Sequence, residues 1–135
     1  MEGHVGADGR EALIDLRVFS GANGRGLTDV RAVIDTGFTG FLTLPSATIQ
    51  SLSLLLFGSR EVVLADGSVS SLDVYRAEIL WHDEARPVSV LQSEGGPLIG
   101  MSLLRGSSLR MDIMPGGSVK IEEWGWRAKR LAATT

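Results

Sequence analysis

The chain has 135 residues, 44% of them hydrophobic and 21% charged, with a formal net charge of −3. This is one domain's worth of residues in a globular composition, and its acidic balance gives no whole-chain attraction to nucleic acid or anionic lipid. With no cysteine in the sequence, a disulfide framework and a thiolate metal site are both excluded.

No stretch approaches the roughly 20 apolar residues that span a bilayer. The opening residues, Met1-Glu2-Gly3-His4-Val5-Gly6, lack the basic and apolar regions of a signal peptide. The expectation is a cytoplasmic protein with no membrane partner.

Leu13 to Phe19 alternates apolar and polar residues as a half-buried strand does. The glycine-rich stretch from Gly21 to Gly26 is read as a hairpin loop, because no helix follows to complete a phosphate cradle. Thr28 to Asp35 is the next strand, wholly apolar at Ala32-Val33-Ile34, and Phe41 to Leu44 is another, stopped by Pro45. Ser46 is expected to cap a short helix through Gln50, which ends before the apolar run Leu54 to Phe57. Glu61 to Leu64 leads into Ala65-Asp66-Gly67-Ser68, whose Asp-Gly pair marks a hairpin.

The return run from Val69 to Trp81 is long and mixed. His82, beside Asp83 and Glu84, is expected in a solvated loop before Pro87; no Gly-x-Ser-x-Gly elbow or His-Glu-x-x-His helix supports a Ser-His-Asp or metal site. Val88 to Leu91 reads as a strand, Glu94 to Pro97 as a turn, and Leu98-Ile99-Gly100 as an apolar strand before a brief helix at Met101 to Leu104. Leu109 to Ile113 and Val119 to Glu122 flank a turn at Pro115-Gly116-Gly117. The tally is eight or nine short strands and one or two short helices without βαβ alternation. That predicts an all-β, mainly antiparallel single domain, barrel-like or sandwich-like. The domain is expected over residues 1–123, followed by a tail from Trp124 to Thr135. That tail mixes tryptophan with Arg127, Lys129 and Arg130, and packing of its aromatics on the barrel or a partner subunit outweighs a nucleic-acid contact.

Asp35 is the candidate for chemistry. A carboxylate at the end of an apolar strand needs a partner or hydrogen bonds. Taken alone, Asp35-Thr36-Gly37 is also what a simple strand-end turn looks like.

Three segments in order, Val33-Ile34-Asp35-Thr36-Gly37, the hairpin tip Ala65 to Ser68, and Leu98-Ile99-Gly100-Met101 with Leu103-Leu104, resemble the retropepsin-like aspartic proteases. The small bacterial proteins of that clan are the nearer match. The resemblance implies a closed-barrel-like retropepsin fold and an aspartic endopeptidase that uses no metal or organic cofactor. It also implies that Asp35 is catalytic, that Thr36 holds two active-site loops together, and that Gly37 donates an N–H to the carboxylate. Leu98, Ile99 and Gly100 would pack around the Asp35 loop, and Ala65, Asp66, Gly67 and Ser68 would form a flap over a peptide substrate. Since the chain carries one such tripeptide, the resemblance further implies a C2 homodimer with one Asp35 from each subunit, and makes the tail a candidate for the interface. Phe38 departs from the retroviral pattern, in which a small residue follows the tripeptide; its ring would change the cleft floor or the neighbouring packing. The competing expectation is a catalytically inactive module of the same fold that binds a peptide or dimerises.

Overall fold

A computed structural model of the chain describes residues 1–21 and 25–125. Its strands are β1 (Glu2–Val5), β2 (Ala12–Ser20), β3 (Gly26–Ile34), β4 (Leu42–Leu44), β5 (Leu55–Val63), β6 (Val69–Trp81), β7 (Glu84–Gln92), β8 (Leu98–Ile99), β9 (Ser107–Met111) and β10 (Ser118–Glu123). Two short helices, α1 (Ser46–Ser51) and α2 (Met101–Leu104), complete the described elements. The fold is mostly β, as expected. Residues 22–24 of the expected glycine-rich loop and 126–135 of the expected tail lie outside the described residues.

The strands form one sheet in the order β5-β6-β7-β4-β8-β3-β2-β1-β10-β9. An added bridge between Val18 of β2 and Ile79 of β6 ties the sheet back on itself. Closure rests on that one bridge rather than on a full ladder. Most neighbours run antiparallel, but β3 with β8 and β4 with β7 are parallel. β8 therefore lies between β3 and β4, antiparallel to the latter, and this insertion builds the site.

Alternation decides which faces are buried. On β2, Ile14, Leu16 and Val18 point into the core while Asp15 and Arg17 face solvent. Their cross-strand partners are Arg31 and Asp29, giving ion pairs at 3.1 and 3.5 Å. Exposed pairs of this kind contribute little stability but agree with the register. Leu16, Leu42, Leu44, Ile79, Ile99, Leu103 and Ile121 are the larger fully buried side chains, and every strand except β5 and β9 supplies at least one buried residue to the core.

Several local expectations are corrected. Ser46 does not cap α1: Pro45 holds that position with no side-chain cap, and the Ser46 N–H donates instead to Glu94 Oε1 at 3.0 Å. The runs at 54–57 and 61–64 are one strand, β5, with an irregularity in pairing between Leu56 and Gly58. Pro87 lies inside β7 rather than before it. It is tolerated because β4 joins the other edge of β7 only at Val90 to Gln92, leaving the Pro87 edge open. β1 is an additional strand, pairing with β10 and β2. No helix among the described residues is long and apolar enough to cross a membrane.

Candidate active site

Strand β3 delivers Asp35 to a turn. The parallel register Val33↔Leu98 and Ile34↔Ile99 is continued by the Asp35 N–H, which donates to Ile99 O at 2.9 Å. The Phe38 N–H returns to Asp35 O at 3.1 Å, closing a tight turn. Within it the Gly37 N–H donates to Asp35 Oδ1 at 2.9 Å. A Cβ on residue 37 would stand 3.2 Å from that oxygen, so glycine serves here by leaving room. Asp35 is half-buried, whereas Thr36 and Gly37 are exposed. Among the described residues, Gly37 is the sole donor to the Asp35 side chain.

The loop after the turn is fastened to α2. The first amides of that helix are used externally: the Met101 N–H donates to Phe38 O at 2.8 Å and the Ser102 N–H to Gly40 O at 3.2 Å. The Gly100 N–H donates to Phe41 O at 3.0 Å, and the Ser102 hydroxyl to Thr39 O at 2.5 Å. Helix N–H groups that would otherwise lack partners thus hold residues 38–41 in place.

Phe38 has a structural explanation. Its ring lies over Gly40, where an added Cβ would come within 2.7 Å of Cε1, and over Gly100, where one would come within 2.5 Å of Cδ2. The half-buried ring therefore needs glycine at both positions. Of the two expected effects of a bulky residue here, altered neighbouring packing is the one observed.

Thr43 also matters, although no motif pointed to it. It is the buried polar residue among the core strands. Its hydroxyl donates to Gly96 O and accepts from the Leu98 N–H, both at 3.0 Å. That pair of bonds fixes the turn that feeds β8. The available signal was a threonine in the middle of an apolar run.

The expected site residues fall into two groups. The structure brings Asp35, Thr36 and Gly37 together with Leu98, Ile99 and Gly100. Ala65, Asp66, Gly67 and Ser68 form the tip of the β5–β6 hairpin, with Gly67 at φ +84°. The hydrogen bonds described at this tip are internal to it: Leu64 N–H to Ser68 O, Gly67 N–H to Leu64 O, and the Ser68 N–H and hydroxyl to Asp66 Oδ1. The Ser68 bonds hold the Asp66 carboxyl below the usual carboxylate range. Leu55, Leu56, Phe57, Val63, Leu64 and Val69 are all exposed on this hairpin. Beside Thr36, a recess of about 520 Å³ is lined by Met101, Leu104 and Leu109, with Met101 exposed at its rim.

His82 corrects a further expectation. It is half-buried rather than solvated, and with Asp83 it makes a two-residue turn between β6 and β7 in which both φ values are positive, 51° and 63°. Its Nε2 lies 2.8 Å from Ser107 Oγ. Burial pushes the imidazole below the usual histidine range, the N-terminal ammonium and Arg86 add to this, and Glu123 and Asp83 oppose it.

No family model and no curated protein matches the chain. Among solved structures, it is similar to a crystal structure of a retropepsin-like aspartic protease from Rickettsia conorii, with a TM-score of 0.56 and 19% sequence identity. The match covers 88% of this chain and 87% of that one. The likeness is one of fold: nearly the whole chain adopts the arrangement of a retropepsin-like protease.

Proposed function

We propose that the protein is an aspartic endopeptidase that hydrolyses a peptide or protein substrate as a homodimer, with two Asp35 carboxylates meeting across a two-fold axis. The observation that carries this reading is the Asp35 turn, a half-buried carboxylate presented at a strand end and anchored through Ile99 and α2. A fold-level likeness to a retropepsin-like protease agrees with it.

One chain supplies one half of the chemistry. Two carboxylates about 3 Å apart cannot both ionise comfortably, so they share a proton and titrate as a pair. The ionised member takes a proton from water as it attacks the scissile carbonyl, while the protonated member donates a hydrogen bond to the carbonyl oxygen. In this reading the Gly37 N–H holds the carboxylate and Thr36 ties the two Asp35 loops together. The hairpin tip Ala65–Ser68 covers the substrate and excludes water. The recess formed by Met101, Leu104 and Leu109 beside Thr36 offers apolar surface for the second subunit, and the segment 124–135 is assigned to that interface.

The test is hydrolysis of a peptide library across pH by wild type and Asp35→Asn. Wild type is expected to cleave over a bell-shaped pH range bounded by the fully protonated and fully ionised pair, and the variant to lose cleavage. Identical behaviour of the two proteins would sink the catalytic reading. One observation favours a second reading, an inactive peptide-binding module: β5 is an edge strand with Leu55, Leu56 and Phe57 exposed, a geometry suited to strand addition.

A further inference from the structure

A second concavity adjoins the recess beside Thr36, sharing Arg105, Gly106 and Ser107 with it. A groove of about 750 Å³ opens beside the β6–β7 turn, with His82, Arg86, Arg105 and Ser107 among its lining residues and neither Asp35 nor Thr36. Arg86 is half-buried, and its Nη1 donates to Leu103 O at 3.3 Å. No carboxylate among the described residues pairs with Arg86 or with the exposed Arg105. The Phe41 ring, its centroid 5.7 Å from the Arg86 guanidinium carbon, offsets part of that charge, and no anion among the described residues offsets the rest. Burial lowers the Arg86 pKa from its ordinary value, yet the group stays charged, and most of its N–H donors remain unused.

Ser107 adds a neutral donor. When the neutral His82 ring donates from Nε2 to Ser107 Oγ, the hydroxyl proton is free to turn into the groove. Glu84 and Glu123 also line the groove, so a dianion would meet repulsion that a singly charged, planar oxyanion largely avoids. Planar bidentate geometry is what a guanidinium matches best.

We infer that this groove is a binding site for a carboxylate, held by Arg86 and Arg105 with the Ser107 hydroxyl as a further donor. None of its groups belongs to the Asp35 turn, but Arg105 and Ser107 also line the recess given above to the second subunit, whereas Arg86 and His82 line this groove alone. Binding places a negative charge close to His82 and favours the imidazolium. The groups that already act on that ring are the N-terminal ammonium, Glu123, Arg86 and Asp83, and their effects are included in its starting pKa.

The test is a side-chain NMR titration of the full chain with four probes. These are an N-acetylated alanine tripeptide with a free C-terminus, its C-terminal amide, an N-acetylated amide peptide carrying one aspartate, and inorganic phosphate. Saturable shifts at Arg86 and His82 with a rise in the His82 pKa are expected from a carboxylate probe and not from the neutral amide. Response to the free terminus assigns a peptide end as the source, and response to the aspartyl peptide assigns an acidic side chain; either supports the site. Arg86→Gln is expected to weaken binding about tenfold or more, the scale of one lost charge-assisted bond. Should that variant misfold, Arg105→Gln on the exposed wall is expected to weaken binding in the same direction. Equal response to the amide, tighter binding of phosphate, no saturable response to any probe, or unchanged affinity in the folded variants would each overturn the inference.

Discussion

At the scale of single residues, space decides more than conformational freedom. Gly100 has an extended backbone, φ −107°, that any residue adopts. What excludes a side chain is crowding: a Cβ there would collide with Gly40 O and come within 2.7 Å of Phe38 O. Both atoms are backbone acceptors for the first turn of α2, so neither can move without loosening the Asp35 loop. Gly100→Ala is expected to lower stability by about 1–3 kcal/mol or more, the range for overpacking a rigid site, as read by urea unfolding at constant m. Asp35 was legible in the sequence because an apolar run ending in Asp-Thr-Gly is a chemical anomaly. Phe38 was legible only as an exception, since its fit depends on Gly40 and Gly100, and the latter is brought beside it by strand pairing across some sixty residues. His82 was misread because its turn geometry and the approach of Ser107 are set by tertiary packing. Its pKa is lower folded than unfolded, so below the unfolded value the unfolded chain binds the extra proton. Stability is therefore expected to be full above about pH 6.5 and to decline as pH falls toward the folded-state pKa. His82→Asn, which suits a positive φ, is expected to flatten that part of the profile in denaturation midpoints measured against pH.

At the scale of elements, the β5–β6 hairpin is the outlier. Every residue of β5 but Val62 is exposed, and β6 enters the core only from Ala77 onward. Its outer part is held by ladder hydrogen bonds and by the Arg76 guanidinium 4.4 Å above the Phe57 ring, with almost no core packing. Elements of that kind open locally at low free energy. Native-state amide exchange is expected to be fastest in the outer hairpin, at 58–72, and slowest in the central pairs of β2 and β3. Equal protection of the two would show a hairpin locked to the body and unsuited to act as a moving cover. The hairpin was readable because Asp66-Gly67 supplies the positive φ that its turn needs. α1 was placed correctly but its cap was not: a serine at a helix start is a local signal, whereas the Glu94 carboxylate that takes the Ser46 amide arrives from across the fold. β1 escaped notice because Glu2-Gly3-His4-Val5 carries one buried residue, too little pattern to separate a strand from a terminus.

At the scale of the whole molecule, the architecture turns on pairings that no local pattern encodes. Antiparallel hairpins such as β2–β3 are announced by the loop between them, but the parallel insertion of β8 between β3 and β4 joins segments more than fifty residues apart. The resemblance of three ordered segments to a known family implies that Leu98, Ile99 and Gly100 pack around the Asp35 loop, but not that β8 inserts there in parallel with β3. The fold leaves one Asp35 per chain, next in sequence to Thr36, which lines a recess with Met101, Leu104 and Leu109. The central claim is that two such chains make one active site. Wild type and Asp35→Asn should therefore be mixed in varying ratio at constant total protein, allowed to exchange subunits, and assayed for peptide hydrolysis. Because only wild-type pairs hold two carboxylates, activity is expected to follow the square of the wild-type fraction. Activity that follows its first power would contradict the account, since each chain would then be catalysing alone.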